Sequence, residues 1–145
     1  MTTATYHPSG GFDRPLHPLH ALLLAGSVPL FLGVLLSDVA YANSAQVQWK
    51  NFASWLNAGA LLFSGLALLW ALIGLFTVAG RRRRPLLSAL LLLVGWVIGF
   101  INSLVHAKDA AASLPEGVVL AAIVFVVMAV ASWLGLAATP REVRA

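Results

Sequence analysis

The sequence predicts an all-α integral membrane protein, an up-down four-helix bundle with both termini cytoplasmic. Three observations predict it. Four long apolar runs fill nearly all of the 145 residues, with short polar connections between them. The apolar fraction is 60% and the charged fraction 10%, against roughly 45–50% and 25% in soluble domains. A soluble domain of this size cannot hide that much apolar surface, whereas a bilayer solvates it. Lys and Arg are also unevenly divided between the two sides of such a bundle, seven against two.

The first run spans about 18–41, the second 52–79, the third 85–107 and the fourth 116–138. Each exceeds the roughly 20 residues a helix needs to cross about 30 Å of hydrocarbon. Helices are required because an isolated strand would leave backbone groups unpaired in lipid. The connections Ala42–Asn51, Gly80–Arg84 and Lys108–Pro115 are short enough to make neighbouring helices antiparallel. Pro18, Pro85 and Pro115 stand at or just before helix starts, where a missing N–H costs nothing. The expected organisation is a flexible cytoplasmic segment over 1–16, a transmembrane domain over 17–139 and a cytoplasmic tail over 140–145.

Arg14, Arg81, Arg82, Arg83, Arg84, Arg141 and Arg144 fall on one side; Lys50 and Lys108 fall on the other. By the positive-inside rule the arginine side is cytoplasmic. The Arg81–Arg84 run therefore reads as a topology signal and a contact for anionic lipid. A nucleic-acid partner is not expected, since no soluble surface accompanies the basic run. Ala40-Tyr41-Ala42 has the small-x-small form of a signal-peptide cleavage site. The preceding apolar region is longer than the usual ~7–15 residues, so an uncleaved span is expected. Gly95-x-x-x-Gly99, Ala131-x-x-x-Gly135 and Ala67-x-x-x-Ala71 allow close helix approach, inside the bundle or in a homodimer. Tyr41, Trp49 and Trp55 suit one interfacial aromatic belt and Trp133 the other. Trp70 and Trp96 are expected to face protein.

Polar residues within spans are the default functional candidates, because they are costly there. One set is Asp38, Asn57, Asn102 and His106. Asp38 lies 20 residues past Pro18, and His106 lies 21 past Pro85. At about 1.5 Å per residue both reach the same height, near the outer boundary. Asn102 precedes His106 by four residues and shares its helix face. Asn57 enters from the outer start of the second span. Such a set is a proton- or ligand-binding site, or a tie between helices. A second set is His17 and His20 at the inner end, three residues apart and on one face. Capping of the first helix, lipid or partner contact, and metal binding are all open for it; a metal would need further ligands.

Bis-imidazole haem needs facing histidines at matched height. One chain offers none, because His17 and His20 share a helix and His106 is at the opposite end. Haem or a quinone therefore enters only as a minor alternative, and no cofactor is expected. The chain has no cysteine, which removes thiolate sites. No nucleophile elbow, H-E-x-x-H motif or catalytic carboxylate pair is present, so a non-enzymatic protein is expected.

Arg14-Pro-Leu-His-Pro-Leu-His20, Ser37-Asp38, Gln48-Trp49, Asn51-Phe-Ala-Ser-Trp55, Trp70-Ala-Leu-Ile73 and Gly99-Phe-Ile-Asn-Ser-Leu-Val-His-Ala-Lys-Asp109 resemble a bacterial family of small predicted membrane proteins, domain of unknown function 2231. The resemblance covers all four spans, and its most specific part is the stretch from Phe100 to Asp109. It implies an Asp where this chain has Gly74. It also implies a neighbourhood of soluble PQQ-type sugar dehydrogenases and c-type cytochromes, and it puts weight on Asp38, Asn102 and His106. The expected function is thus an anchor or accessory subunit for a periplasmic oxidoreductase in the bacterial inner membrane. The alternatives are an electron-transfer or quinone-interacting subunit and a small proton-coupled carrier.

Overall fold

Four helices account for almost all of the described residues. The computed structural model describes residues 16–77 and 83–137. Within them run α1 (Pro18–Ser44), α2 (Val47–Thr77), α3 (Arg83–His106) and α4 (Glu116–Ala137), with a short 3₁₀ turn at Ala110–Ser113 before α4. All four are long and apolar enough to span a membrane. The stretches 1–15 and 138–145, with His7, Asp13, Arg14, Arg141 and Arg144, and the Arg81–Arg82 pair lie outside the described residues. Arg83 and Arg84 are the first residues of α3.

Local chemistry sets the helix ends. His17 caps α1: its backbone is extended and its side chain accepts from the Leu19 N–H, with Pro18 in the first turn. α1 then continues through Pro29. Its other end is closed by Ala45, which adopts φ 55° and donates its N–H to the Tyr41 carbonyl. The expected connection Ala42–Asn51 contracts to Ala45–Gln46. Asn43 and Ser44 are still helical, and their side chains bond back to the Val39 and Ala40 carbonyls. α2 likewise begins five residues ahead of the apolar run, because a helix needs no apolar side chains once it has left the hydrocarbon.

The helices pack as a ring in which α1–α2, α2–α3 and α3–α4 are neighbours and α1–α4 closes the circuit. Both described ends of the chain therefore fall at one end of the bundle, the terminal end. The Ala45–Gln46 turn and the 107–115 connection fall at the other, the distal end. The core holds Leu24, Phe31, Leu92, Val124 and Met128, all under 2% exposed. Large apolar residues such as Leu22, Leu36, Leu62 and Phe76 point outward, the pattern of a surface solvated by lipid. Trp49, Trp55 and Trp133 are exposed, as an interfacial belt requires. Tyr41 is buried instead, because it continues the inward face of Val34, Ser37 and Asp38.

The small residues are used inside the bundle. A Cβ on Gly95 would meet Met128 and Val127 of α4. On Gly99 it would come 3.2 Å from Leu61 of α2 and 3.3 Å from Phe31 of α1. Gly135 abuts Leu24 and Ser88. Buried serines add bonds between helices: Ser88 donates to the Ala131 carbonyl, and Ser132 to the Leu24 carbonyl. Trp96, expected to face protein, donates its indole N–H to the Leu61 carbonyl at 3.1 Å. Gly95→Val should therefore lower stability by about 1–3 kcal/mol. Gly74→Ala, whose new Cβ meets nothing within 4 Å, should leave it unchanged. Reversible unfolding in mixed detergent micelles measures both.

Candidate functional site

The distal end holds the most concentrated buried polar chemistry. Asp38 is in the last third of α1 and is 4% exposed; His106 is the final residue of α3 and is 7% exposed. The two helices are diagonal in the ring, so their side chains meet across the bundle interior. His106 Nε2 lies 2.8 Å from Asp38 Oδ1, and Nδ1 lies 2.8 Å from the Asn102 carbonyl oxygen. A backbone carbonyl only accepts, so Nδ1 carries a proton. A hydrogen bond at Nε2 then requires one further proton, held either as imidazolium against carboxylate or as carboxylic acid against imidazole. The pair thus keeps a proton between two buried groups. Without it, an imidazole lone pair would face a carboxylate oxygen.

The surroundings hold the pair on several sides. A Cβ on Gly117, at the start of α4, would lie 3.6 Å from His106 Cε1 and 3.8 Å from Asp38 Oδ2. Gly117 is buried and leaves about one methyl of space over the pair. Lys50 is buried in the first turns of α2 and donates from Nζ to the Lys108 carbonyl. It ties α2 to the chain just past His106. Lys108 forms an exposed ion pair with Glu116 at 2.8 Å. Pairs of that kind contribute little.

Of the four distal candidates, Asp38, His106 and Asn102 are brought into one bonded group, with Asn102 contributing its backbone carbonyl. Asn57 belongs to a second set. Its amide donates to the Gly99 carbonyl at 3.1 Å and to Ser103 Oγ at 2.7 Å, joining α2 to α3. Among the described residues, three buried oxygens have no hydrogen-bond partner: Asp38 Oδ2, Asn57 Oδ1 and Asn102 Oδ1. Sequence reasoning missed Gly117, Ser103 and the inward reach of Lys50. A glycine one residue into α4 and a lysine four residues into α2 carry no motif, and their roles depend on how the helices pack.

At the terminal end, His17 and His20 both face Trp70, with ring centroids 4.8 and 6.1 Å away. Trp70 is exposed, at 38%, where burial against protein was expected. Gly74 lies one turn beyond Trp70 on α2 and opens onto free space, so a carboxylate there would be accommodated. Among the described residues, no group of three His, Cys, Asp or Glu is placed to hold a metal ion. For His106 to bind iron it would have to release Asp38 or the Asn102 carbonyl.

With this geometry in place, the chain can be compared with known proteins. Residues 16–142 match the model of a family described as "Predicted membrane protein (DUF2231)". The chain belongs to this family. No curated protein and no solved structure matches it. DUF2231 membership and the four spans make the chain a multi-pass membrane protein. The matched region contains every described member of both polar sets.

Removing one member of the Asp38–His106 pair strands the other in the bundle interior. Asp38→Ala and His106→Ala should each cost roughly 1–3 kcal/mol. Joint replacement by Leu should be less harmful than the two single changes combined, since an apolar pair leaves no stranded polar group. A double-mutant cycle of unfolding free energies in detergent reads the coupling. Additive losses would show that the two side chains do not act as a pair.

Proposed function

We propose that the protein is a small non-enzymatic subunit of the bacterial inner membrane, accessory to an extracytoplasmic oxidoreductase. It holds a proton at its distal end for that partner's chemistry. The observation that supports this reading is the Asp38–His106 hydrogen bond. Both imidazole nitrogens face oxygen atoms, so a proton is retained between two groups that the bundle shields from water. Burying an ionisable pair adds little stability over apolar packing, and ionisable groups in a membrane mark proton and ligand sites.

The arginine-rich side is taken as cytoplasmic by the positive-inside rule, which sets the distal end toward the extracytoplasmic space. There the Ala45–Gln46 turn, the Lys108–Glu116 ion pair and the exposed Trp49 would meet the partner. The family resemblance implies a sugar dehydrogenase or a c-type cytochrome in that role. A quinone-interacting subunit is favoured by a separate observation, the three unpartnered oxygens of Asp38, Asn57 and Asn102. Acceptors without donors suit a ligand that brings its own hydroxyl protons, as a hydroquinone does.

The test uses membranes from a deletion strain complemented with variants. Asp38→Asn and His106→Gln keep the volumes and remove the shared proton. Sugar-driven oxygen uptake should fall about 10-fold or more in both, at unchanged amounts of folded protein. Infrared spectra of the purified protein across pH should lose one carboxyl band in Asp38→Asn. Full oxygen uptake in both variants would overturn the reading and leave the pair as a tie between α1 and α3.

A further inference from the structure

The terminal end carries a second feature that the distal site does not use. α1 and α2 leave a groove of about 240 Å³ between them, lined by Leu19, Leu23, Leu66, Leu69, Trp70 and Ile73. All six are apolar. The groove is open along one side and apolar throughout, which suits an extended apolar chain. Two imidazoles stand beside its aromatic member. His17 Nδ1 accepts from the Leu19 N–H at 3.2 Å, so that nitrogen bears no proton and Nε2 is the N–H. His20 shares a face with Leu23 and approaches the same Trp70 ring. Its Nε2 is buried without a hydrogen-bond partner. A polar atom left so costs about 1–3 kcal/mol, which a ligand atom would relieve.

Charge decides the class of that ligand. Seven of the nine Lys and Arg residues belong to this end by chain order, among them Arg14 just before His17 and Arg81–Arg84 just after α2. Basic clusters beside a span attract anionic headgroups. We propose that the α1–α2 groove, with His17, His20 and Trp70 at its mouth, is a binding site for one anionic phospholipid. An acyl chain packs along Leu19, Leu23 and Leu66. The phosphate oxygens accept hydrogen bonds from the imidazole N–H groups. The site is independent of the Asp38–His106 reading, and either can fail alone.

Native mass spectrometry of the full chain, released from detergent with phosphatidylglycerol or phosphatidylcholine of matched chains, tests it. One phosphatidylglycerol should be retained per protomer, at least ~10-fold more strongly than phosphatidylcholine, a difference of about 1.4 kcal/mol. Leu66→Trp, which fills the groove from a partly exposed position, should abolish retention. His17→Ala with His20→Ala should abolish the preference between the two lipids. His20→Lys, which keeps a donor, should restore it. Equal retention of both lipids would overturn the proposal. So would loss of retention only on Arg81–Arg84→Gln, which marks a diffuse contact. Displacement of the phospholipid by a short-chain quinone at equal concentration would assign the groove to a quinone and likewise overturn it. Circular dichroism and a single elution peak establish that each variant is folded.

Discussion

Inside a bilayer a polar group has no water to fall back on, and that constraint organises this protein. Every backbone N–H and C=O at membrane depth must find its partner in the chain, so the spans are helices. Side-chain hydroxyls obey the same rule. Ser27 and Ser64 turn back onto the carbonyls of Leu24 and Ala60 within their own helices. Ser88 and Ser132 reach across to α4 and α1. These contacts need short distances between backbones, which Gly95, Gly99 and Gly135 provide. Apolar packing cannot by itself choose between lipid and a neighbouring helix. Small residues and hydroxyls, more than leucines, therefore select which helix faces which.

Against that background the two ends of the bundle are unlike. The distal end is closed by short connections, by Lys50 on the Lys108 carbonyl, and by a buried carboxylate–imidazole pair. The terminal end is open between α1 and α2, lined with leucines and edged by His17 and His20. A single chain thus presents one enclosed polar site and one lipid-facing groove. Between them Leu24, Phe31, Leu92 and Met128 fill the centre of the bundle, with the buried hydroxyls of Ser27 and Ser64 bonded back to their own helices.

Much of this was legible in the sequence, for a definite reason. The rise per residue of a helix is fixed, so counting from Pro18 and Pro85 set Asp38 and His106 at one height, and the structure joins them. Hydropathy located all four helices. It misjudged their polar ends, because Asn43, Ser44, Gln48 and Lys50 look like a loop yet continue helices beyond the apolar zone. Which way a residue faces around the helix was harder. Every side of these helices is apolar, so periodicity could not show that Tyr41 turns inward or that Trp70 stays partly uncovered. Gly117 over the pair and the Asn102 carbonyl beneath it depend on tertiary packing and leave no trace in spacing.

The Asp38–His106 pair also explains why its neighbours are amides rather than charges. A proton shared between carboxylate and imidazole leaves the pair neutral as a unit, so the enclosed site needs no third charge to balance it. A second carboxylate there would be stranded in low dielectric, at a cost far above that of an amide. Asn57 and Asn102 supply polarity without net charge, and Lys50 spends its ammonium on a carbonyl at the rim. Removing the shared proton would break this balance and set a bare carboxylate beside an imidazole lone pair, with Gly117 the side of least bulk. The distal end therefore has two electrostatic conditions, with and without the proton. A change between them would be felt first by α1, α3 and the start of α4, the elements that hold Asp38, His106 and Gly117.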